Sequence, residues 1–162
     1  MGLFRKSYED GIYLKVKKNH DNDEYYLKFT MDDIDRNDGV IFHEYIDAAL
    51  RRFGLRTENW RLDMSGDHGA DKIIMRGDEK IPVRTVYCKG TVSDAEAEKI
   101  CNAKRHYETD DAWLFTNGTF SDRAKSVAEE AGATLMDRNV IEEIIEHLEL
   151  KKEWSGYKCG GK

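Results

Sequence analysis

The sequence has no excess of basic residues, no long apolar run and no paired cysteine spacing, and each absence narrows what the chain can be. Lysine and arginine number 26 against 32 aspartates and glutamates, a formal net charge of -6. A basic excess would advertise nucleic acid directly. Without one, phosphate can be held only by a local basic patch or through a divalent metal that offsets the repulsion. No apolar run approaches the roughly 20 residues that a membrane helix needs, so no membrane partner is expected. The opening "MGLFRKSYED" lacks the apolar core of a secretory signal. Lys6 stands where a myristoylation signal wants Ser or Thr. Cys88, Cys101 and Cys159 are odd in number and have no CxxC spacing, which argues against a zinc site or a disulfide framework. Reduced thiols of this kind lead to the expectation of a cytoplasmic protein.

What is present is periodic. "GIYLKVKKNHDNDEYYLKF" alternates apolar and polar residues around a polar turn, a β-hairpin pattern, and "TMDDIDRNDG" reads as a polar connector. In "DGVIFHEYIDAALRRFG" the residues Ile41, Phe42, Tyr45, Ile46, Ala49, Leu50 and Phe53 share one broad helical face, closed by Gly54. "TENWRLDM", "ADKIIMR" and "IPVRTVYCK" read as three strands joined by short turns. The single proline, Pro82, lies at the start of the third, where a missing N–H is tolerated. "SDAEAEKICNAKRHY" is a helix opened by a capping box, Ser93-x-x-Glu96. "AWLFT" and "ATLM" are short strands of the kind buried on both faces. "SDRAKSVAEEAG" and "DRNVIEEIIEHLEL" are helices. An antiparallel meander followed by strand–helix alternation gives a central mixed five-stranded sheet flanked by helices, an α/β fold. Residues 1–37 form an N-terminal β-hairpin extension, 38–150 the main domain, and 151–162 a polar, glycine-rich tail that holds Cys159.

Alternation along the third strand puts Tyr87 and Lys89 on one side and Cys88 on the other. If "RGDEK" turns the second strand into the third, Asp71 and Lys89 share one edge of the sheet. Such a pair is either an ordinary ion pair, or a metal ligand beside a group that positions a water.

The stretches "GDHGADKIIMRGDEKIPVRTVYCKGTVS" and "AWLFTNGTFSDRAKSVAEEAGATLMDRNVIEEII" resemble the Mrr-like branch of the PD-(D/E)xK nucleases, with the restriction-endonuclease-like fold. The resemblance covers about residues 39 to 148. "LFTNGTFSDRA" with "GATLMD" is its more specific part. It implies a metal-dependent DNA endonuclease, in which Asp71 and the main-chain carbonyl of Cys88 bind Mg²⁺ or Mn²⁺ and Lys89 orients the attacking water. Two positions depart from the family's pattern. Tyr87 stands where the family has an acid or amide two residues before the lysine. His43 in "GVIFHEY" stands where the family has a glutamate.

Three readings therefore stay open. One is a working nuclease in which His43, Asp67 or Glu96 supplies the missing ligand. Another is an inert member that binds nucleic acid or a protein partner. The third is a module that serves assembly alone. His68, Lys104, Arg105 and Asn117 are the candidate nucleic-acid contacts, each with a plain reading as loop, helix-end or turn residue. Cutting two strands takes two sites, so a homodimer is part of the nuclease expectation.

Overall fold

The computed structural model describes residues 13–17, 24–58 and 68–148. Strands β1 (Tyr13–Lys17) and β2 (Glu24–Lys28) pair antiparallel as the alternation expects, with Tyr13 opposite Lys28. They make a sheet of their own and do not extend the central one.

The segment read as a polar connector holds a short helix, α1 (Met31–Arg36). The Thr30 hydroxyl accepts from the Asp33 N–H at 3.2 Å, and Asp32 and Asp33 lie in the first turn, where the helix dipole favours them. Capping chemistry, not apolar periodicity, makes this helix, so the hydrophobic pattern did not show it. Ile34 is its one fully buried side chain and packs into the same core as helix α2 (Gly39–Arg52). Asp38 caps α2 by accepting from the Ile41 N–H at 3.0 Å. Its apolar face is buried as the spacing predicts, through Ile41, Phe42, Tyr45, Ile46, Ala49 and Leu50.

Strand β3 (Arg56–Glu58) begins the central sheet. Most of the stretch read as the first meander strand, residues 59–64, lies outside the described residues. Strands β4 (Lys72–Arg76) and β5 (Glu79–Val86) form the expected hairpin, with Lys72 opposite Val83 and Arg76 opposite Glu79. One expectation fails here. The third strand ends at Val86, not at Lys89. Its last pairing is Val86 with Thr116, after which the Cys88 N–H turns to the Asn117 side chain at 2.8 Å and leaves the ladder.

Strand β6 (Thr91–Val92) and helix α3 (Asp94–His106) follow. Next come β7 (Trp113–Thr116), β8 (Thr119–Phe120), α4 (Asp122–Ala131), β9 (Thr134–Met136) and a last helix, α5, over 138–148. The central sheet has the order β3-β4-β5-β7-β9, antiparallel in its first half and parallel between β5, β7 and β9. β6 and β8 form a small parallel pair that no sequence pattern indicated.

The sheet is covered on both faces. α2 and α5 bury Ile74, Ile81, Val83 and Phe115 on one side. α3 and α4 bury Leu114, Val92 and Phe120 on the other. The Ser93-x-x-Glu96 capping box does not form. Ser93 makes no side-chain cap bond, and Glu96 turns to Arg84 at 3.1 Å and Lys99 at 3.0 Å, because a strand guanidinium on the facing sheet offers a charged partner.

The loop ahead of β4 is pressed onto α3. Gly69 has φ +93°, and a Cβ there would lie 1.9 Å from the Lys99 carbonyl oxygen. Gly69→Ala is expected to lower the unfolding free energy by about 2 kcal/mol or more. Denaturant titration checks this, and an unchanged midpoint would contradict the packing described.

Candidate functional site

Asp71 sits one residue before β4, and the sheet sets its surroundings. Its N–H donates to the Val83 carbonyl at 2.8 Å. Its carboxylate accepts from the Thr85 N–H at 2.7 Å and from the Thr85 hydroxyl at 3.2 Å. The Arg84 guanidinium lies 3.9 Å from the other carboxylate oxygen. On the helix side, His43 Nδ1 is 3.1 Å from the Thr85 hydroxyl and 3.8 Å from the Asp71 carboxylate. Burial first, and the nearby Lys72 ammonium second, push the His43 imidazole below its ordinary value.

His43 and Asp71 line a cleft of about 710 Å³ that also takes in Glu44, Asp47, Arg51, Arg56 and Lys72. Lys72 is buried, 8 % exposed, with its ammonium 2.7 Å from Asp47, and Arg51 holds the same carboxylate at 2.8 Å. Opposite charges continue across the sheet edge, from Asp71 to Arg84, Glu96 and Lys99. Burial pushes the Glu96 carboxyl up, but the Lys99 hydrogen bond and Arg84 outweigh it and hold it below its ordinary value.

Lys89 is not part of this cleft. The hairpin brings residues 83 to 85, not 89, to Asp71. Lys89 lies four residues past Thr85, roughly 13 Å along an extended chain. It lines a second cleft of about 500 Å³ with Asp35, Cys88, Gly90, Thr91, Asn117, Gly118, Thr119 and Arg138. The Cys88 carbonyl faces Gly118, whose Cβ would come within 2.9 Å of it.

Tyr87 lies past the end of β5, not in it. Its hydroxyl donates to the Asp35 main-chain carbonyl at 2.6 Å, tying α1 to the sheet. The Asp35 carboxylate meets Arg138 at 3.0 and 2.8 Å and accepts from the Asn117 amide at 3.2 Å. Asn117, 3 % exposed, also accepts from the Cys88 N–H.

The remaining candidates scatter. His68 stacks on His106 with ring centres 3.6 Å apart and borders a small cleft with Gly69, Lys99 and Asn102. Arg105 bonds to Asn102. The Lys104 ammonium lies beside Gly132, at the C-terminal end of α4.

The structure thus brings His43 and Asp71 together and sets Tyr87, Lys89 and Asn117 in another neighbourhood. Thr85, Arg84, Lys72, Asp35 and Arg138 were missed in the sequence. A tight turn at Gly77-Asp78 was the available signal for the first two, since it places the segment around Arg84 opposite Asp71.

The family model Mrr_cat, described as restriction endonuclease, matches residues 34–145. The chain belongs to the Mrr-like restriction endonuclease family. Its α/β architecture is the restriction-endonuclease-like fold, and its domain is of nuclease type. No curated protein matches it. Among solved structures it is similar to "Crystal Structure of Protein of Unknown Function AF1548", at 19% identity and a TM-score of 0.47. The alignment covers 60% of this chain and 61% of that one, so the chain spans less than two thirds of that relative's length.

Domains of the Mrr-like family usually use a divalent metal. Among the described residues, no three His, Cys, Asp or Glu side chains cluster so as to hold one. The Asp71 carboxylate already accepts two hydrogen bonds and faces Arg84, with a hydroxyl and an imidazole beside it. Of the other carboxylates lining the cleft, Asp47 is held by Lys72 and Arg51, and Glu44 is exposed. Glu96 is tied to Arg84 and Lys99, and Asp67 lies outside the described residues. A hard cation wants several free oxygen ligands. The described side chains do not fit one.

The Asp35–Arg138 contact makes a pH prediction. The Arg138 hydrogen bonds hold the Asp35 carboxyl below its ordinary 3.8. Its contribution to stability is complete above that value and is lost as pH falls through the lower folded-state value. Asp35→Asn should therefore flatten the acid limb of a stability-versus-pH curve below about pH 4. An acid limb identical to that of the parent chain would remove the assignment.

Proposed function

We propose that this Mrr-like protein binds DNA through a nuclease fold whose hydrolytic centre is not assembled. One observation carries the reading: one oxygen of the Asp71 carboxylate is taken by the Thr85 N–H and hydroxyl and the other faces Arg84 at 3.9 Å, while Lys89 lines a different cleft. Without a metal ligand set, and with Lys72 held by Asp47 and Arg84 by Glu96, neither water activation nor charge neutralisation at a phosphodiester has the groups it needs. Family membership supports DNA as the partner. The overall charge of -6 means that contact is made by local cations, not by a global field.

A second reading, a metal-dependent endonuclease that hydrolyses DNA with Mg²⁺ or Mn²⁺, is favoured by the family match and by the place of Asp71 at the head of β4. The two readings separate in one experiment. Plasmid and branched DNA are incubated with the protein in Mg²⁺, in Mn²⁺ and in EDTA, and binding is followed by anisotropy in parallel. The expected result is salt-dependent binding of similar strength in all three, with no cleavage. Cleavage that needs the metal and is lost in Asp71→Asn would establish the second reading.

A further inference from the structure

We infer that the cleft at the ends of β5 and β7 is a phosphate subsite for a nucleic-acid strand, formed by the Lys89 ammonium and the Thr91 and Thr119 hydroxyls. This deepens the DNA-binding reading and rests on it. The cleft lies outside the carboxyl ends of parallel strands, where open α/β sheets receive ligands.

Its floor is fixed. Asn117 is buried, with its amide oxygen taken by the Cys88 N–H and its amide nitrogen given to Asp35. The two loops touch main chain to main chain. A Cβ at Gly118 would lie 2.3 Å from the Gly90 carbonyl oxygen, and the Thr119 N–H donates to that same oxygen at 3.0 Å.

The charge of the cleft follows from its pairings. Asp35 pairs with Arg138 through two contacts, and Glu142 lies 3.7 Å from the same guanidinium. Lys89 is exposed, acts on Asp35 only through space, and makes no ion pair among the described residues. Its ammonium is the one cation lining the cleft that stands outside an ion pair among the described residues. The Thr91 and Thr119 hydroxyls stand 3.3 Å apart on the paired strands β6 and β8, and both residues are exposed. An ammonium acts as a point charge on phosphate, and hydroxyls donate to phosphate oxygens. The Asp35 carboxylate, already bonded to Arg138 and Asn117, is not free to act as a base. The cleft therefore binds and does not cut, and it reassigns Lys89 from water positioning to backbone contact.

Duplex and single-stranded DNA binding, measured by anisotropy across a salt series, tests this. Lys89→Ala should weaken binding about fivefold and reduce the slope of log K against log salt by about one. Lys89→Arg should keep both near the parent values. Thr91→Val combined with Thr119→Val should weaken binding at an unchanged slope. Parent affinity and slope in Lys89→Ala would overturn the assignment. If the parent chain binds no DNA, the reading of the preceding subsection fails by itself. Amide shifts of Gly90 and Gly118 on adding inorganic phosphate then decide the cleft. Shifts that vanish in Lys89→Ala support it, and their absence in the parent refutes it.

Discussion

Strand β5 is held on both edges, and where that support stops decides the chemistry of the molecule. It pairs antiparallel with β4 from Glu79 to Val83 and parallel with β7 from Val83 to Val86. Beyond Val86 the Cys88 N–H bonds to a side chain instead of a strand. Thr85 is thereby fixed beside Asp71, and Lys89 is carried past the sheet into another cleft. The Asp71 carboxylate serves as the acceptor for the Thr85 N–H just where the β4 ladder runs out. A strand donor left unsatisfied there would cost about as much as a lost hydrogen bond. The aspartate expected to bind a metal is part of the main-chain accounting in this protein.

Charge is arranged in the same economical way. His43, Asp71, Arg84, Glu96 and Lys99 alternate donor and acceptor from α2 across the sheet to α3. Lys72 and Arg51 share Asp47. Asp35 and Arg138 close on each other. Cations held in such pairs are less available to a phosphate than those outside them. The Tyr87 hydroxyl adds a constraint of its own, anchoring α1 to the end of β5. Tyr87 thus ties the segment before α2 to the end of β5, next to the cleft that Lys89 lines.

Much of the architecture was legible in local pattern. The apolar spacing of α2, α4 and α5, the glycines after α2 and α4, and the short apolar strands β7 and β9 are properties of neighbouring residues. Such properties survive reading in one dimension. The Gly77-Asp78 turn also held the pairing of β4 with β5, though the strand was carried three residues too far. What escaped was set by partners distant in sequence. Helix α1 has too few apolar residues for periodicity and is made by its Thr30 cap. β6 and β8 are two residues long and exist because each meets the other. Glu96 fits a capping box locally, yet a guanidinium twelve positions away takes it.

By itself, then, the sequence determined a three-layer α/β domain with most of its helices and strand positions, which follow from hydrophobic period and turn chemistry acting over a few residues. The Mrr-like family was legible in the resemblance carried by segments such as "LFTNGTFSDRA". Only the tertiary structure decided that Asp71 answers to Thr85 and Arg84, and that Asp35 reaches Asn117 across 82 positions and Arg138 across 103. Only the folded chain shows that Lys89 stands apart from Asp71. Register and the end of a ladder are properties of paired strands, and no single strand carries them.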